Sequence, residues 1–179
     1  MISRAKHCLR QFRMREDGNS TVEFAIVIPA FIMILMSTVE LGMINLRHSQ
    51  LERALDGTVR TIRLGTGDEN LSHDNLRDEI CTRSGFIDEC ESSLRLEMVR
   101  IDPFAWTPVD PTPDCVNRIE DVQPVRTFEN GQSNELMFIR ACMKFNPIFP
   151  TWGLGGSLSK DGDGRINLIA SSAFVQEPR

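Results

Sequence analysis

The chain has 179 residues, 41% of them hydrophobic and 25% charged, which suits one ordinary domain and excludes a disordered or fibrous chain. The net charge of −5 is uneven: residues 1–18 carry Arg4, Lys6, Arg10, Arg13 and Arg15 against Glu16 and Asp17, a net +3, which leaves −8 for the remainder. A nucleic-acid binder spreads basic charge over its folded part, so nucleic acid is disfavoured as a partner.

Past the basic stretch, Phe24 to Val39 (FAIVIPAFIMILMSTV) is uncharged, with only Pro29, Ser37 and Thr38 outside the aliphatic and aromatic set. Sixteen helical residues reach ~24 Å, short of a ~30 Å hydrocarbon core, whereas continuing through Leu46 gives about 34 Å and places Glu40 inside. A buried helix of a soluble domain is the alternative for so short a run. The order of basic leader, apolar run and polar body favours membrane insertion. The Lys/Arg bias then keeps the leader in the cytoplasm and puts the acidic body outside. Ser37 and Val39 fit a small-x-small signal-peptide cleavage site poorly, so loss of the apolar run is not expected.

Upstream of the run stand Gly18, then Asn19-Ser20-Thr21-Val22, then Glu23. A basic leader ending in Gly, with Glu five residues on at the start of a hydrophobic helix, resembles the processing site of type IV prepilins. That resemblance implies cleavage after Gly18 by a membrane aspartyl peptidase, with a mature chain beginning at Asn19. An ionisable group in an apolar helix costs a few kcal/mol in the bilayer without a partner. The resemblance supplies one, the new α-amino group on Asn19 of a neighbouring copy, which offsets part of the desolvation of Glu23 and sets subunit registry. Ser20-Thr21-Val22-Glu23 also matches a capping box, in which Ser20 and Glu23 satisfy free N–H groups at a helix start.

The stretch from Gly18 to Pro29, followed by Val39-Glu40-Leu41-Gly42, is similar to the amino-terminal signature of TadE-like proteins of the tight-adherence (Tad, or Flp) pilus system. Ile166 to Phe174, ending in Glu177-Pro178, is similar to that family's tail. The resemblance implies a pseudopilin, or minor pilin, that works with a prepilin peptidase, other pseudopilins, the major pilin and the assembly platform, in or beneath a pilus used for surface adherence and biofilm formation. It also implies a bacterial inner-membrane protein with a pilin-like α+β fold. In this reading residues 1–18 are a cleaved leader, 19–46 the transmembrane segment, with Phe24, Pro29, Phe31, Leu35 and Glu40 in its packing surface, and 47–179 the exported domain. The rival is an unprocessed single-pass envelope protein with a ligand- or partner-binding domain.

Leu51, Leu55, Val59 and Ile62 continue one apolar stripe among Arg53, Asp56, Arg60 and Arg63, predicting a single helix from about Thr21 to Leu64, closed by Gly65-Thr66-Gly67. At ~1.5 Å per residue that rod is roughly 66 Å long, with Pro29 kinking or loosening it. A second helix is predicted over Ser72 to Arg83, capped by Ser72 and ended at Gly85. Leu94–Ile101, Glu135–Phe145 and Arg165–Val175 read as strands of a small antiparallel sheet laid on the long helix. Pro and Gly clusters, 103–124 and 147–164, separate them. The first is too long for most ordered loops and is either pinned at Cys115 or mobile.

Cys8 lies in the leader, while Cys81, Cys90, Cys115 and Cys142 form an even set on the exported side. Of three pairings, Cys81–Cys90 and Cys115–Cys142 are favoured. With no CxxC and few His, no metal site is expected. Lys160-Asp161-Gly162-Asp163-Gly164 departs from a calcium loop at Arg165 and Ser172 and reads as a tight turn. Trp106 and Trp152, near Phe104, Phe145 and Phe149, are expected in a core rather than at a binding rim. No phosphate loop, HExxH or nucleophile elbow occurs, so neither an enzyme nor a cofactor is expected.

Overall fold

The computed structural model describes residues 19–64, 71–85, 89–105, 108–116 and 128–178. Helix α1 (Asn19–Arg63) is one rod of 45 residues, uninterrupted at Pro29, which lies inside it. Ser20 is a helical residue within this described span. Two short elements follow, α2 (His73–Ser84) and α3 (Cys90–Ser93). Ser72 caps α2 by accepting the Asn75 N–H at 3.3 Å, and Gly85 closes it at φ +63, a left-handed conformation glycine adopts without a Cβ penalty. The expected Gly65-Thr66-Gly67 terminator of α1 lies outside the described residues.

Strands β1 (Leu94–Ile101), β2 (Leu136–Phe145) and β3 (Ile166–Val175) form an antiparallel sheet in the order β1-β2-β3. Between β2 and β3 lies a single turn of helix, α4 (Gly153–Ser157). The register pairs Leu96 with Ala141 and Ala141 with Ala170, so Leu94, Leu96, Met98, Met137, Ile139, Met143, Leu168 and Phe174 share one face. On that face lies the carboxyl half of α1. Leu51, Leu55, Val59 and Ile62, four residues apart or three, are all buried in the core with Ala54. Each such side chain taken from water contributes about 1.5–3 kcal/mol, which is why the amphipathic half of the rod, and not its apolar half, carries the sheet. Helix α2 adds Leu76 and Ile80.

The end of β3 fastens the end of α1. Gln176 Nε2 donates to the Ile62 carbonyl at 3.0 Å, the Glu177 N–H donates to the Arg63 carbonyl at 3.4 Å, and Arg63 pairs with Glu177 at 3.1 Å. Two carbonyls that a helix terminus leaves open are thereby satisfied from the tail. Cys81–Cys90 and Cys115–Cys142 are both bonded, the favoured pairing, while Cys8 lies outside the described residues. Closing 27 residues, the second bond contributes about 3–4 kcal/mol by restricting the unfolded chain.

The opposite face of the sheet is covered over β1 and β2. Arg140 and Glu97, paired in register, are both buried, and Arg140 donates from Nε (3.1 Å) and Nη2 (2.6 Å) to Glu97 Oε2. The same guanidinium donates to the carbonyls of Asp110 (2.9 Å) and Thr112 (3.2 Å). Arg95 pairs with Asp114 at 2.8 Å, next to Cys115. Residues 108–116 of the Pro-rich excursion therefore form a strap across β1 and β2, pinned by the Arg95–Asp114 ion pair, by the two carbonyls that Arg140 holds and by a disulfide.

Candidate functional site

The amino-terminal half of α1 is bare. Its most apolar window is long and hydrophobic enough to cross a membrane, and none of that window is buried by the rest of the protein. Phe24, Pro29, Phe31 and Leu35 all lie on this exposed surface, and Glu23 is exposed one turn from the start of the described helix. Asn19 is the first helical residue; Gly18 lies outside the described residues.

Glu40 is placed differently from those four. It is 0% exposed, covered by the segment between β2 and α4, and its carboxylate accepts the N–H of Ile148 at 3.1 Å and of Phe149 at 2.8 Å. A backbone amide donating to an ionised carboxylate is a strong, short-range bond, so two of them stabilise a charge that the apolar surroundings would otherwise reject. The fit is close: a Cβ on Gly155 would lie 2.6 Å from the Phe149 carbonyl and 3.3 Å from Glu40 Oε2. One turn earlier, Ser37 accepts the Leu154 N–H at 3.1 Å, and a Cβ on Gly153, which has φ +55, would meet that Ser37 hydroxyl at 2.6 Å. The loop from Pro147 to Ser157 is thus a collar locked onto α1 at Ser37 and Glu40. Sequence reasoning read these residues as a Pro/Gly spacer; the three glycines in five residues were the available signal for close backbone approach.

Glu40→Ala should remove the acceptor from two buried amides at a cost of about 1–3 kcal/mol. Amide hydrogen exchange checks this: the Ile148 and Phe149 amides should exchange much faster in Glu40→Ala while amides of β2 stay protected. Glu40→Gln, which keeps an acceptor oxygen, should fall between.

Trp152, expected in a core, is instead 62% exposed on the collar, and Phe104 is almost wholly exposed. Phe145 is the one that enters the core, beneath the Arg47 guanidinium at 4.9 Å. Trp106 lies outside the described residues. At the other end of the collar, Asp161 accepts the amides of Asp163 (3.0 Å) and Arg165 (2.8 Å) and pairs with Lys144 at 2.6 Å, a tight turn feeding β3. Burial alone would raise the Asp161 carboxyl, but Lys144 and the two amides outweigh it and hold it below the ordinary aspartate range. Its stabilising contribution is therefore present above the unfolded value and is lost as pH falls through the lowered folded one. Among the described residues no group of three His, Cys, Asp or Glu could hold a metal ion.

One bare apolar helix end joined to a closed α+β head fits a single-pass membrane protein. Residues 18–60, less than half of the chain, match the family model of TadE-like proteins, over the amino-terminal stretch that carries the first part of the resemblance described above. That match ends within α1, before the sheet, the strap and the β3 tail. No curated protein and no solved structure matches the chain.

Proposed function

We propose that this protein is a pseudopilin, or minor pilin, of a Tad (Flp) pilus, processed after Gly18 by a prepilin peptidase and needed to assemble a filament used for surface adherence and biofilm formation. The observation that supports the reading is that the TadE-like segment coincides with a single continuous rod, bare and apolar at one end and carrying a disulfide-bonded head at the other. In the inner membrane the bare half of α1 spans the bilayer, with the basic leader cytoplasmic and the head outside. During assembly, helices of other pseudopilins and the major pilin replace lipid around Phe24, Phe31 and Leu35, and the assembly platform drives the extraction. The new amine on Asn19 of one copy pairs with Glu23 of the next, and the exposure of Glu23 leaves it accessible for that contact. The work is assembly and not catalysis.

Intact mass and amino-terminal sequencing of the native protein test the reading. A chain starting at Asn19 is expected. A start at Met1, as an unprocessed envelope protein would have, or a start beyond Val39 contradicts it. Glu23→Ala should still be processed but should reduce the amount of subunit recovered in sheared filaments; wild-type recovery would remove Glu23 from registry.

A further inference from the structure

The collar lies at a particular height on the rod. From Asn19 to Ser37 the helix rises about 27 Å, close to the ~30 Å thickness of a hydrocarbon core, so Ser37 and Glu40 fall where a span starting at Asn19 would leave the lipid. At that height the head sends out a run of fifteen residues, Phe145 to Ser159, without one charged side chain. Its outward surface presents Trp152, 62% exposed, and Ile148, 42% exposed. Two cations are held against it: Lys160 Nζ donates to the Pro150 carbonyl, within the run, and Arg47, ten residues further along α1 than Ser37, donates to the Asn146 carbonyl at 3.3 Å. An exposed indole on an uncharged run with cations held close by is the side-chain composition of a membrane–water interface.

Glu40 gives the second, independent reason. It is the single charged residue between Phe24 and Leu46, and it is the one the collar encloses and satisfies with two amides. A free carboxylate there would hold this turn of the helix up in water. Enclosed, it allows the turn to sink to the level of the headgroups.

We propose that the 147–157 collar is a membrane-interfacial wedge, with Trp152 and Ile148 seated among the acyl-chain ends and headgroups of the leaflet from which α1 emerges. The head then rests on the bilayer at a fixed height and does not swing on a free linker. The proposal rests on the reading of α1 as a membrane span, but not on pilus membership or on processing at Gly18.

The test uses the full chain with Trp106→Phe, so that Trp152 is the only indole, reconstituted at low protein density in phosphatidylcholine–phosphatidylglycerol vesicles. The phosphatidylcholine carries bromine at either a shallow or a mid-chain acyl position. Trp152 should lose most of its emission to the shallow bromines, less to the mid-chain ones, and should be poorly quenched by aqueous iodide. A separate probe, Phe31→Trp in a chain with both native tryptophans replaced by Phe, should be quenched most by mid-chain bromines and reports insertion of α1. Should that probe be quenched while Trp152 is open to iodide and blind to bromine, the wedge is overturned and the span stands. Trp152 shielded from both quenchers would mean a protein neighbour covers the collar, which also overturns the wedge. If neither probe meets bromine, the span falls and the wedge with it.

Discussion

Arg140→Ala should destabilise the head by about 3–5 kcal/mol, the range for stripping one partner from a buried ion pair. Glu97 would be left charged and dry on the strap side of β1, and the carbonyls of Asp110 and Thr112 would lose their donor together with it. Urea unfolding of the full chain in detergent, with both disulfides kept oxidised, measures the loss as a lowered midpoint. The double replacement Arg140→Met with Glu97→Leu should recover most of it, because apolar residues of similar volume often match or exceed a buried pair in stability. The two changes should therefore be strongly non-additive, as expected for side chains in direct contact. A single variant within 1 kcal/mol of the parent would mean that water reaches the pair and that the strap is not closed.

Gly18→Ala should give the largest functional effect. In the proposed reading it leaves the uncut precursor in the membrane, with the +3 leader still attached to α1. No amine then forms beside Glu23, and the basic leader cannot follow the rod out of the cytoplasmic face without desolvating its charges. Immunoblots should show only the larger species in the membrane fraction, and sheared filaments should be absent or greatly reduced. Normal filaments built from full-length chain would refute processing as a requirement. The head is separated from Gly18 by the whole bare half of the rod, so the urea midpoint should not change.

The contrast between these predictions reflects what the residues announce. A four-and-three spacing from Leu51 to Ile62 marks a helix and an alternation through Leu94, Leu96 and Met98 a strand, so the rod and the sheet were legible, and packing of the sheet on that stripe was the stronger reading beside self-association of helices. Cys115 with Cys142 belonged to the favoured one of three pairings that four cysteines allow, and the structure has that bond. Alternation misleads on the other face. Arg95, Glu97 and Arg140 occupy the polar phase of their strands, the pattern of a solvated surface, and only the return of 108–116 buries them. A strap held by carbonyls and by Asp114 has no period of its own. β3, whose outer face stays open, keeps the alternating burial that β1 and β2 lose. The collar was hidden differently: its contact with α1 runs through main-chain amides of Ile148, Phe149 and Leu154, which no side-chain pattern encodes. Trp152 was assigned to a core because an aromatic cluster in sequence suggests one, whereas the glycines that let the collar close on α1 leave its ring outside.

The fastening of the β3 tail to the last turn of α1 has a mechanical corollary. With Gln176 and Glu177 gripping one station and the amides around Glu40 another, the two grips are separated by 22 residues, about 33 Å along the axis. Tension applied along the rod loads both together in shear, so several bonds must yield at once, whereas a single attachment would peel bond by bond. A subunit dragged lengthwise would resist at its two ends before its middle was disturbed.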